Sequence, residues 1–454
     1  MNANRTERML QAPLALLIVR AASVRRLMAE EGFSMPNALS QASSGLPSQG
    51  RSALQSIAYL CARHRALAAA AVDRLVSKRP NAAVSAILET ALSLLFAQTY
   101  SDFTIVNQAV IAIRSDRRTA RFAGLTNAVL RRAVKERETL VPSLEADDDV
   151  RFNAPDWWIK RVRQAHPEAA ERILSLSAKH PPMVLRVNRR RITPEAYLDN
   201  LAQAGITAWR IGPEAVLLAS PKPVHEIPGF SDGLVSVQDA GTQLAAHLLP
   251  AGNGDRVLDA CAAPGGKTAH LLELHDLKMT ALEIDPSRTK LIRETLDRLG
   301  LVADIHTADA ADVKLWWNGI PYDHVLLDAP CTASGIVRRQ PDVPWSRRPA
   351  DINALAARQK RLLDALWPVV RSGGTLLFCT CSIFPEEGPQ QAESFLKRHP
   401  DAVPVPIGGN ANGMMILTPA EAQASSVNQH DNWEPQAEPP VHDGFFYALF
   451  RKKA

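Results

Sequence analysis

The sequence predicts a multidomain protein with an all-α bundle, a small α/β linker module and a doubly wound α/β domain. The chain of 454 residues is too long for one ordinary domain. Its first part is rich in Ala and Leu and lacks strand-like alternation. From Gly233 onward strand-like and helix-like segments alternate, which is typical of a parallel sheet. We therefore expect domains over 1–140, 141–235 and 236–454.

The overall composition is that of a globular protein rather than a membrane protein. Hydrophobic residues make up 46% of the chain and charged residues 22%. No apolar run is long enough to cross a bilayer, so we expect a cytoplasmic protein without a membrane partner. A short apolar stretch follows Arg5 and Arg8, but Arg20 interrupts it and apolar residues continue at helical spacing. That pattern favours a bundle helix over a signal peptide.

Charge is distributed unevenly along the chain, whose net charge is +5. Residues 1–140 contain 19 Lys and Arg against 9 Asp and Glu, and the remainder contains 33 against 38. A basic front part predicts a polyanionic partner. A solvated helical surface explains the surplus equally well, so charge alone leaves both interpretations open.

Helical spacing and turn residues locate the elements of the bundle. Asn81–Ala97 carries its apolar residues along one stripe of a helix. Ser40–Arg51, rich in Ser, Gly and Pro, indicates a loop. Val141–Val150, which holds a Pro and an acidic run, indicates a linker.

The linker module combines short strands with a helix. Met183–Val187 and Ala215–Leu218 are predicted strands, and Pro194–Ala204 is a predicted helix. The basic run Arg189–Arg191 follows the first strand. It could grip a nucleic-acid backbone or form an exposed turn, and the sequence leaves both open.

The last domain alternates strands and helices. The predicted strands are Arg256–Asp259, Met279–Glu283, His324–Leu327, Thr375–Cys379 and Phe445–Phe450. The predicted helices are Thr268–Leu274, Pro286–Leu299 and Ile352–Val370, the last of them ended by Gly373-Gly374. Asp443-Gly444 indicates a hairpin turn, and residues 408–440 indicate a mobile loop.

A glycine loop, Val257–Thr268, joins the first of these strands to the helix after it. Gly265 and Gly266 lack side chains, so a ligand could lie against the main chain. A Walker A loop needs Gly five residues before Gly266, where Cys261 stands, and the dinucleotide pattern G-x-G-x-x-G is absent. The remaining interpretation is a loop that binds S-adenosylmethionine (SAM), and the residues further along the chain support it.

Acidic residues at strand ends are candidates for holding the nucleoside of such a ligand. Glu283 lies 17 residues beyond Gly266, near the position where nucleotide folds place an acid on the ribose hydroxyls. An exposed strand-end acid is the alternative, and Asp285 is a possible substitute. Asp309, after the next strand, could accept a hydrogen bond from an adenine amino group.

Two cysteines also lie at strand ends. Asp328-Ala329-Pro330-Cys331 delivers a carboxylate and a thiol together, and Cys381 follows the next long strand. Neighbouring parallel strands would bring both thiols to one rim of the sheet. Thiolates are strong nucleophiles, so we predict chemistry for this pair. The other three cysteines, Cys61, Cys261 and Cys379, are better explained as small buried hydrophobic residues.

The absence of any C-x-x-C pair argues against metal or disulfide roles for these cysteines. We therefore expect no bound metal and no disulfide framework. In a reducing compartment all five cysteines would remain thiols that are free for chemistry.

Three motifs together resemble the RNA cytosine-5 methyltransferases of the Nol1/Nop2/Sun family. They are Cys-Ala-Ala-Pro-Gly-Gly-Lys at 261–267, Asp-Ala-Pro-Cys at 328–331 and Thr-Cys-Ser at 380–382. Phe122–Arg132 resembles the last helix of a NusB-like RNA-binding bundle. A NusB-like bundle ahead of a Rossmann-like, SAM-dependent catalytic domain is similar to the bacterial 16S ribosomal RNA methyltransferases of this family. The resemblance runs from about Pro13 to the end and is weakest over 408–440.

The resemblance implies a mechanism and a role for each catalytic residue. Cys381 would add to C6 of a cytosine, which makes C5 nucleophilic toward the methyl group of SAM, and Cys331 would assist the final elimination. Asp328 would hydrogen-bond the cytosine edge, and Lys267 would add positive potential. An exchange of roles between the two cysteines is the alternative, because cytosine-5 DNA methyltransferases use a Pro-Cys nucleophile.

The resemblance also implies the cofactor contacts and the partner. Glu283, where the family often has Asp, would hold the ribose, with Asp309 and Asp328 nearby. The methionine part would contact Cys261, Ala262, Ala263, Pro264, Gly265, Gly266 and Lys267. The run Arg338–Asp342 would contact RNA. The expected partner is 16S ribosomal RNA, bound by a monomer.

Two other classes of function compete with this interpretation. A non-catalytic RNA-binding or antitermination-type factor would use the bundle alone, but it has no need of Cys331 and Cys381. An oxidoreductase would need the missing G-x-G-x-x-G pattern.

Overall fold

The structure, a computed structural model, describes residues 12–421 and 433–454. It divides into two compact units. The first contains the chain up to Arg161 together with Ser177–Lys179 and Gln340–Arg347, and the second contains Val162–Leu176, His180–Arg339 and Arg348–Ala454. Within the described ranges, no helix is both long and apolar enough to cross a membrane.

The first unit is helical throughout its described part, which confirms the predicted bundle. Helix α5 lies at its centre, because residues on every side of this helix are buried. Asn81 begins α5 by accepting a hydrogen bond from the Val84 N–H (3.1 Å). The helices are α1 Leu14–Glu31, α2 Met35–Ala42, α3 Ser48–Arg63, α4 Arg65–Leu75, α5 Ala82–Phe96, α6 Asp102–Arg114, α7 Ala123–Leu144, α8 Asp148–Arg151 and α9 Asp156–Ala165.

Two predicted loops of this unit are mostly helical. The Ser40–Arg51 loop shrinks to the five residues between α2 and α3. In the predicted linker Val141–Val150, helix α7 continues to Leu144 because Leu140 and Leu144 are buried in the core. The compact unit accordingly extends beyond residue 140, and the boundaries at 140 and 235 stay predictions.

The second unit begins with a small antiparallel sheet of strand order β2-β3-β1-β4. The predicted strands and helix of the linker module are all present, with bounds shifted by one residue at most. Its elements are α10 Ala170–Ala178, β1 Val184–Val187, α11 Pro194–Gln203, β2 Ala208–Arg210, β3 Ala215–Leu218 and β4 Val235–Val237.

The large sheet has strand order β10-β14-β9-β8-β5-β6-β7, with β11 also paired to β14. Strands β7, β6, β5, β8 and β9 are mutually parallel, and β14 pairs with β9 antiparallel. Its strands are β5 Arg256–Asp259, β6 Lys278–Glu283, β7 Asp304–Thr307, β8 Tyr322–Asp328, β9 Val370–Thr380, β10 Ala402–Pro404, β11 Met414–Leu417 and β14 Phe445–Lys452. Strands β12 Ala420–Glu421 and β13 Val441–His442 pair with each other in a separate two-stranded sheet. The helices are α12 Ala240–Leu248, α13 Gly266–Leu274, α14 Pro286–Leu299, α16 Pro349–Leu366 and α17 Pro389–Arg398, and α15 Val343–Ser346 belongs to the first unit. The doubly wound prediction is confirmed.

The order of the strands reverses between β5 and β8. The chain passes from β5 to β6 and β7 on one side, and then returns to the other side of β5 as β8. Connections leave such a point in opposite directions, which opens a crevice beyond the carboxyl ends of the two strands. The glycine loop and the Asp328–Cys331 segment both start at this crevice.

Two predictions at glycines of the second unit were wrong. Gly373-Gly374 does not end the helix, since α16 ends at Leu366 and the pair lies inside β9. A Cβ at Gly374 would lie 2.6 Å from the Asp323 carbonyl oxygen of the neighbouring strand. Asp443-Gly444 makes no hairpin, since β14 pairs with β9 and β11 instead. Strand β11 falls within the predicted loop over 408–440, of which 422–432 lie outside the described residues.

A buried ion pair joins the small sheet to α13. Arg186 of β1 binds both carboxylate oxygens of Glu273 (2.8 and 2.7 Å), and the two side chains are 0% and 2% exposed. The same guanidinium donates to the Gly266 carbonyl (2.7 Å) and to Gln238 (2.6 Å). Burial raises the pKa of Glu273, and the guanidinium compensates the charge.

The basic run Arg189–Arg191 also forms ion pairs and hydrogen bonds within this unit. Arg189 pairs with Glu214 (3.2 Å), and Arg190 pairs with Asp276 (2.6 Å). Arg191 donates to the Leu299 carbonyl (2.7 Å) at the end of α14. The sequence left open a grip on a nucleic-acid backbone and an exposed turn, and these contacts favour an anchoring role for the run within the unit.

Replacing Arg186 with Met should destabilise the protein by about 3–5 kcal/mol, because Glu273 would remain as a buried charge without a partner. Urea unfolding measures the loss. Arg190→Met is the matched control, since it breaks a partly exposed pair and should cost at most about 1 kcal/mol. Equal losses for both variants would contradict the importance of burial.

Candidate active site

The glycine loop forms a tight turn between β5 and α13. Gly265 has a φ of 97°, in the left-handed region that favours glycine. A Cβ there would lie 3.3 Å from the Ile292 Cα of α14. The loop is also tied to α14 by Thr295, which donates to the Pro264 carbonyl (2.8 Å). Gly265 is thus required by the turn and by helix packing, and its contact with a ligand stays a prediction.

A buried carboxylate holds the start of α13 under this loop. Asp259, the last residue of β5, is 0% exposed and accepts a hydrogen bond from the Thr268 hydroxyl (2.6 Å). Burial raises the pKa of Asp259 to about 7. The loop between these two residues is therefore fixed at both ends.

Lys267 and Asp328 form an ion pair across the crevice. The Lys267 Nζ lies 2.6 Å from the Asp328 Oδ2, with side-chain exposures of 10% and 30%. Burial alone would lower the pKa of Lys267, but the charge of Asp328, the hydrogen bond to it and the neighbouring Cys379 and Cys381 together raise that pKa. The Cys379 thiol donates to the other oxygen of Asp328 (3.6 Å). Lys267 thus stays charged beside the carboxylate.

The two strand-end cysteines meet, as the sequence predicted. The Cys331 and Cys381 sulfurs lie 3.4 Å apart, and both residues line the same cleft. The hydrogen bond between the sulfurs, together with burial, raises the pKa of Cys331 well above its usual value. By contrast, Cys61 and Cys379 are buried, as expected of structural cysteines, whereas Cys261 is only partly buried and lines the cleft, so that part of the prediction was wrong. Two thiols therefore face one crevice.

A single buried carboxylate holds the residues that follow the two cysteines. Glu387 accepts hydrogen bonds from the N–H (2.9 Å) and hydroxyl (2.5 Å) of Thr332, the residue after Cys331. It also accepts from the hydroxyl of Ser382 (2.6 Å), the residue after Cys381. Glu387 is 0% exposed, and burial raises its pKa. Sequence reasoning missed this residue.

Further bonds lock the same two segments. Gln359 of α16 donates both to Glu387 (3.2 Å) and to the Pro330 carbonyl (3.0 Å). The Gly335 N–H donates to the Cys381 carbonyl (2.9 Å), and the Gly444 N–H donates to the Gly335 carbonyl (2.8 Å). The spacing of the two sulfurs is therefore set by a network rather than by one loop.

The cleft beside these sulfurs holds about 1030 Å³ of empty space, including the part open to solvent. Most of the predicted site residues lie on its wall. Those that line it are Cys261, Ala263, Glu283, Asp309, Asp328, Cys331 and Cys381. Those that the wall does not include are Ala262, Pro264, Gly265, Gly266 and Lys267, although Lys267 reaches Asp328. Their contacts with a cofactor stay predictions.

The nucleoside end of the cleft fits an adenosine group. Glu283, at the end of β6, is only 3% exposed but is among the residues that line the cleft. Its carboxylate accepts from the Asp285 N–H (3.1 Å) and pairs with Arg288 (3.4 Å), and ribose hydroxyls could donate to it as well. The neighbouring Ile284, 48% exposed, and the small Ala308 and Ala310 leave an apolar slot for a flat ring. The Asp309 carboxylate faces the same end but pairs with Arg361 (2.5 Å).

The predicted RNA contact of the basic run 338–342 was wrong for its first residue. Arg338 is 1% exposed and pairs with the buried carboxylate of Asp443. Arg339 pairs with Asp443 and with Asp239 (3.0 Å). Both guanidiniums stabilise the segment that follows Cys331, because each compensates a buried carboxylate.

A doubly wound sheet with this loop and cleft at its switch point defines a SAM-dependent methyltransferase. Comparison with known proteins narrows the class. Residues 246–451 match the profile of the 16S rRNA methyltransferase RsmB/F family, and 154–225 match the RsmF/B-like ferredoxin-like domain. The chain belongs to the RsmB/F family.

Full-length relatives and a solved structure agree with that assignment. The ribosomal RNA small subunit methyltransferase B of Pseudomonas syringae pv. tomato is 39% identical, over 89% of this chain and 90% of the relative. Its counterpart from Vibrio cholerae is 36% identical, over 96% and 98%. The crystal structure of PH0851 has a TM-score of 0.74 and 26% identity, and the match covers 97% of this chain and 99% of that one.

Replacing Glu387 with Gln should lower the turnover of methyl transfer about 10²-fold, because an NH₂ donor would replace one of the two oxygens that accept from Thr332 and Ser382, and the cysteine segments would shift. SAM affinity should stay unchanged, since Glu387 lies outside the cleft wall. Transfer of a labelled methyl group and SAM titration measure the two quantities. Glu386→Gln is the matched neighbour control, and full turnover by Glu387→Gln would refute the positioning role.

Proposed function

We propose that this protein methylates C5 of a cytosine in 16S ribosomal RNA through a covalent bond between Cys381 and C6. The pair of sulfurs 3.4 Å apart on the wall of the cleft is the observation that carries the proposal. Cytosine C5 is a poor nucleophile because its ring is aromatic, and addition of a thiolate at C6 removes that barrier. The names of the relatives supply the small-subunit rRNA substrate.

The proposed reaction balances without another reagent. The Cys381 sulfur forms a bond to C6, and the electron pair of the C5–C6 double bond becomes available at C5. SAM, when bound, supplies a methyl group that C5 can take up. The C5 proton then leaves to solvent at the open cleft, the double bond re-forms, and the sulfur leaves as a thiolate.

The neighbouring residues have separate tasks in this scheme. Asp328 accepts from the exocyclic amino group of the cytosine and so orients the ring. Lys267, held 2.6 Å from Asp328, stabilises the negative charge that develops in the ring. Cys331 keeps its proton because its pKa is raised, and its thiol can donate to the departing Cys381 thiolate. That hydrogen bond would favour elimination.

Access to the cleft requires the target base to leave any stack. Unstacking costs a few kcal/mol and costs least in a single-stranded region. The proposed target is therefore a cytosine in an unpaired segment of the rRNA.

Replacing Cys381 with Ala should abolish methyl transfer, because the variant lacks the sulfur that adds to C6. Replacing Cys331 with Ala should instead trap the enzyme on its RNA, since elimination slows. Denaturing gels of labelled RNA show the trapped species, and 5-methylcytosine mapping shows the product. Cys61→Ala, in the first unit, is the control and should keep full activity.

The opposite pattern would assign the nucleophile to Cys331. Methylation by Cys381→Ala at the rate of the natural protein would contradict the covalent mechanism. A methyl group found on any atom other than cytosine C5 would contradict the proposed reaction.

A further inference from the structure

A groove between helices α6 and α7 of the first unit is not used by the proposed reaction. It holds about 920 Å³ of empty space, including the part open to solvent. The lining residues recur at helical spacing, so each helix presents one continuous stripe to the groove. The stripe of α6 includes Phe103, Asn107 and Val110, and that of α7 includes Asn127, Arg131 and Lys135.

The most unusual member of this lining is Phe103. Its residue is 80% exposed, whereas large aromatic side chains are usually well buried. Within the described part of the chain, its ring contacts no other aromatic ring and no cation. An aromatic face left open beside a groove can stack on an unpaired base.

Two basic side chains of α7, Arg131 and Lys135, line the same groove as Phe103. Arg131 and Lys135 are exposed and, among the described residues, form no ion pair or hydrogen bond. Their neighbours on the same helix are paired, Arg132 with Glu136 (2.9 Å) and Arg137 with Asp102. Unpaired cations of this kind are available to phosphate groups.

Two amides complete the set. Asn107 and Asn127 are exposed, one on each helix, and neither makes a hydrogen bond with any described residue. An amide can donate to and accept from the edge of a base. The groove thus offers a stacking face, hydrogen-bonding groups and positive charge within one lining.

We propose that this groove binds a single-stranded segment of the rRNA substrate, with a base stacked on Phe103 and phosphates on Arg131 and Lys135. The inference rests on the proposed function for the identity of the RNA. The surplus of ten Lys and Arg over Asp and Glu within residues 1–140 supplies charge of the matching sign. A protein helix laid in the groove would bury both amides and both cations, which is costly unless each is paired.

The test measures binding separately from catalysis. Affinity of the full-length protein for unmethylated 16S rRNA transcribed in vitro is determined across a range of salt concentrations, and methyl transfer is followed on the same RNA. Phe103→Ala should weaken RNA binding about tenfold and raise KM with kcat unchanged. The double variant Arg131→Gln/Lys135→Gln should reduce the slope of log affinity against log salt by about 1.4.

Matched variants control for general surface effects. Ile111→Ala removes another exposed apolar side chain of α6, and Arg132→Gln removes a paired cation of α7. Neither should change affinity beyond twofold. All replaced side chains are at the surface, so unfolding temperatures should stay level with that of the natural protein.

Unchanged RNA affinity and salt slope in both groove variants would overturn the proposal, and would leave a protein ligand as the occupant. A fall in kcat with unchanged affinity would overturn it too. Failure of the proposed function would be distinguishable from failure of the groove proposal. In that case the natural protein itself would form no 5-methylcytosine, independently of the RNA affinities of the groove variants.

Discussion

The contact between Arg186 and Glu273 is the constraint on which the second unit depends. It links β1 of the small sheet to α13, and the same guanidinium also holds the Gly266 carbonyl at the end of the glycine loop. A buried ion pair adds little net stability against an apolar pair of the same shape, but it tolerates no displacement of either partner. The small sheet is thereby fixed against the glycine loop. On its other side this loop packs against α14, where Gly265 lies close to the helix backbone.

Buried carboxylates also hold the reactive end of the cleft in place, because each of them needs hydrogen bonds or an ion pair to compensate its charge. Glu387 accepts hydrogen bonds from the segments after Cys331 and Cys381. Asp443 forms ion pairs with Arg338 and Arg339. These carboxylates lie behind the sulfurs rather than in the cleft. The chemistry we propose needs two thiols at a constant spacing, and a network of directional bonds provides such spacing better than apolar packing does.

Local pattern was enough to predict most of the fold, because strands such as β5 and helices such as α14 carry their own periodicity and boundary residues. The convergence of Cys331 and Cys381 was also predictable, since carboxyl ends of neighbouring parallel strands share an edge. Glu387 was not, because its partner Thr332 lies 55 residues earlier and no local signal marks the contact. The prediction for Arg338 was wrong for a related reason. A basic run gives no local sign that Arg338 is buried beside Asp443, 105 residues further along the chain.

The close approach of Gly335 and Gly444 has a consequence for how the protein is made. A Cβ at either glycine would collide with the backbone of the other, so the segment after Cys331 packs directly against the residues before β14. Strand β14 is the last element of the described chain and the partner of β9. During synthesis the bonds to Glu387 can form first, but the contact between Gly335 and Gly444 has to wait until that part of the chain has left the ribosome. A nascent chain can therefore complete its helical bundle before its reactive centre, which needs β14 in place beside β9.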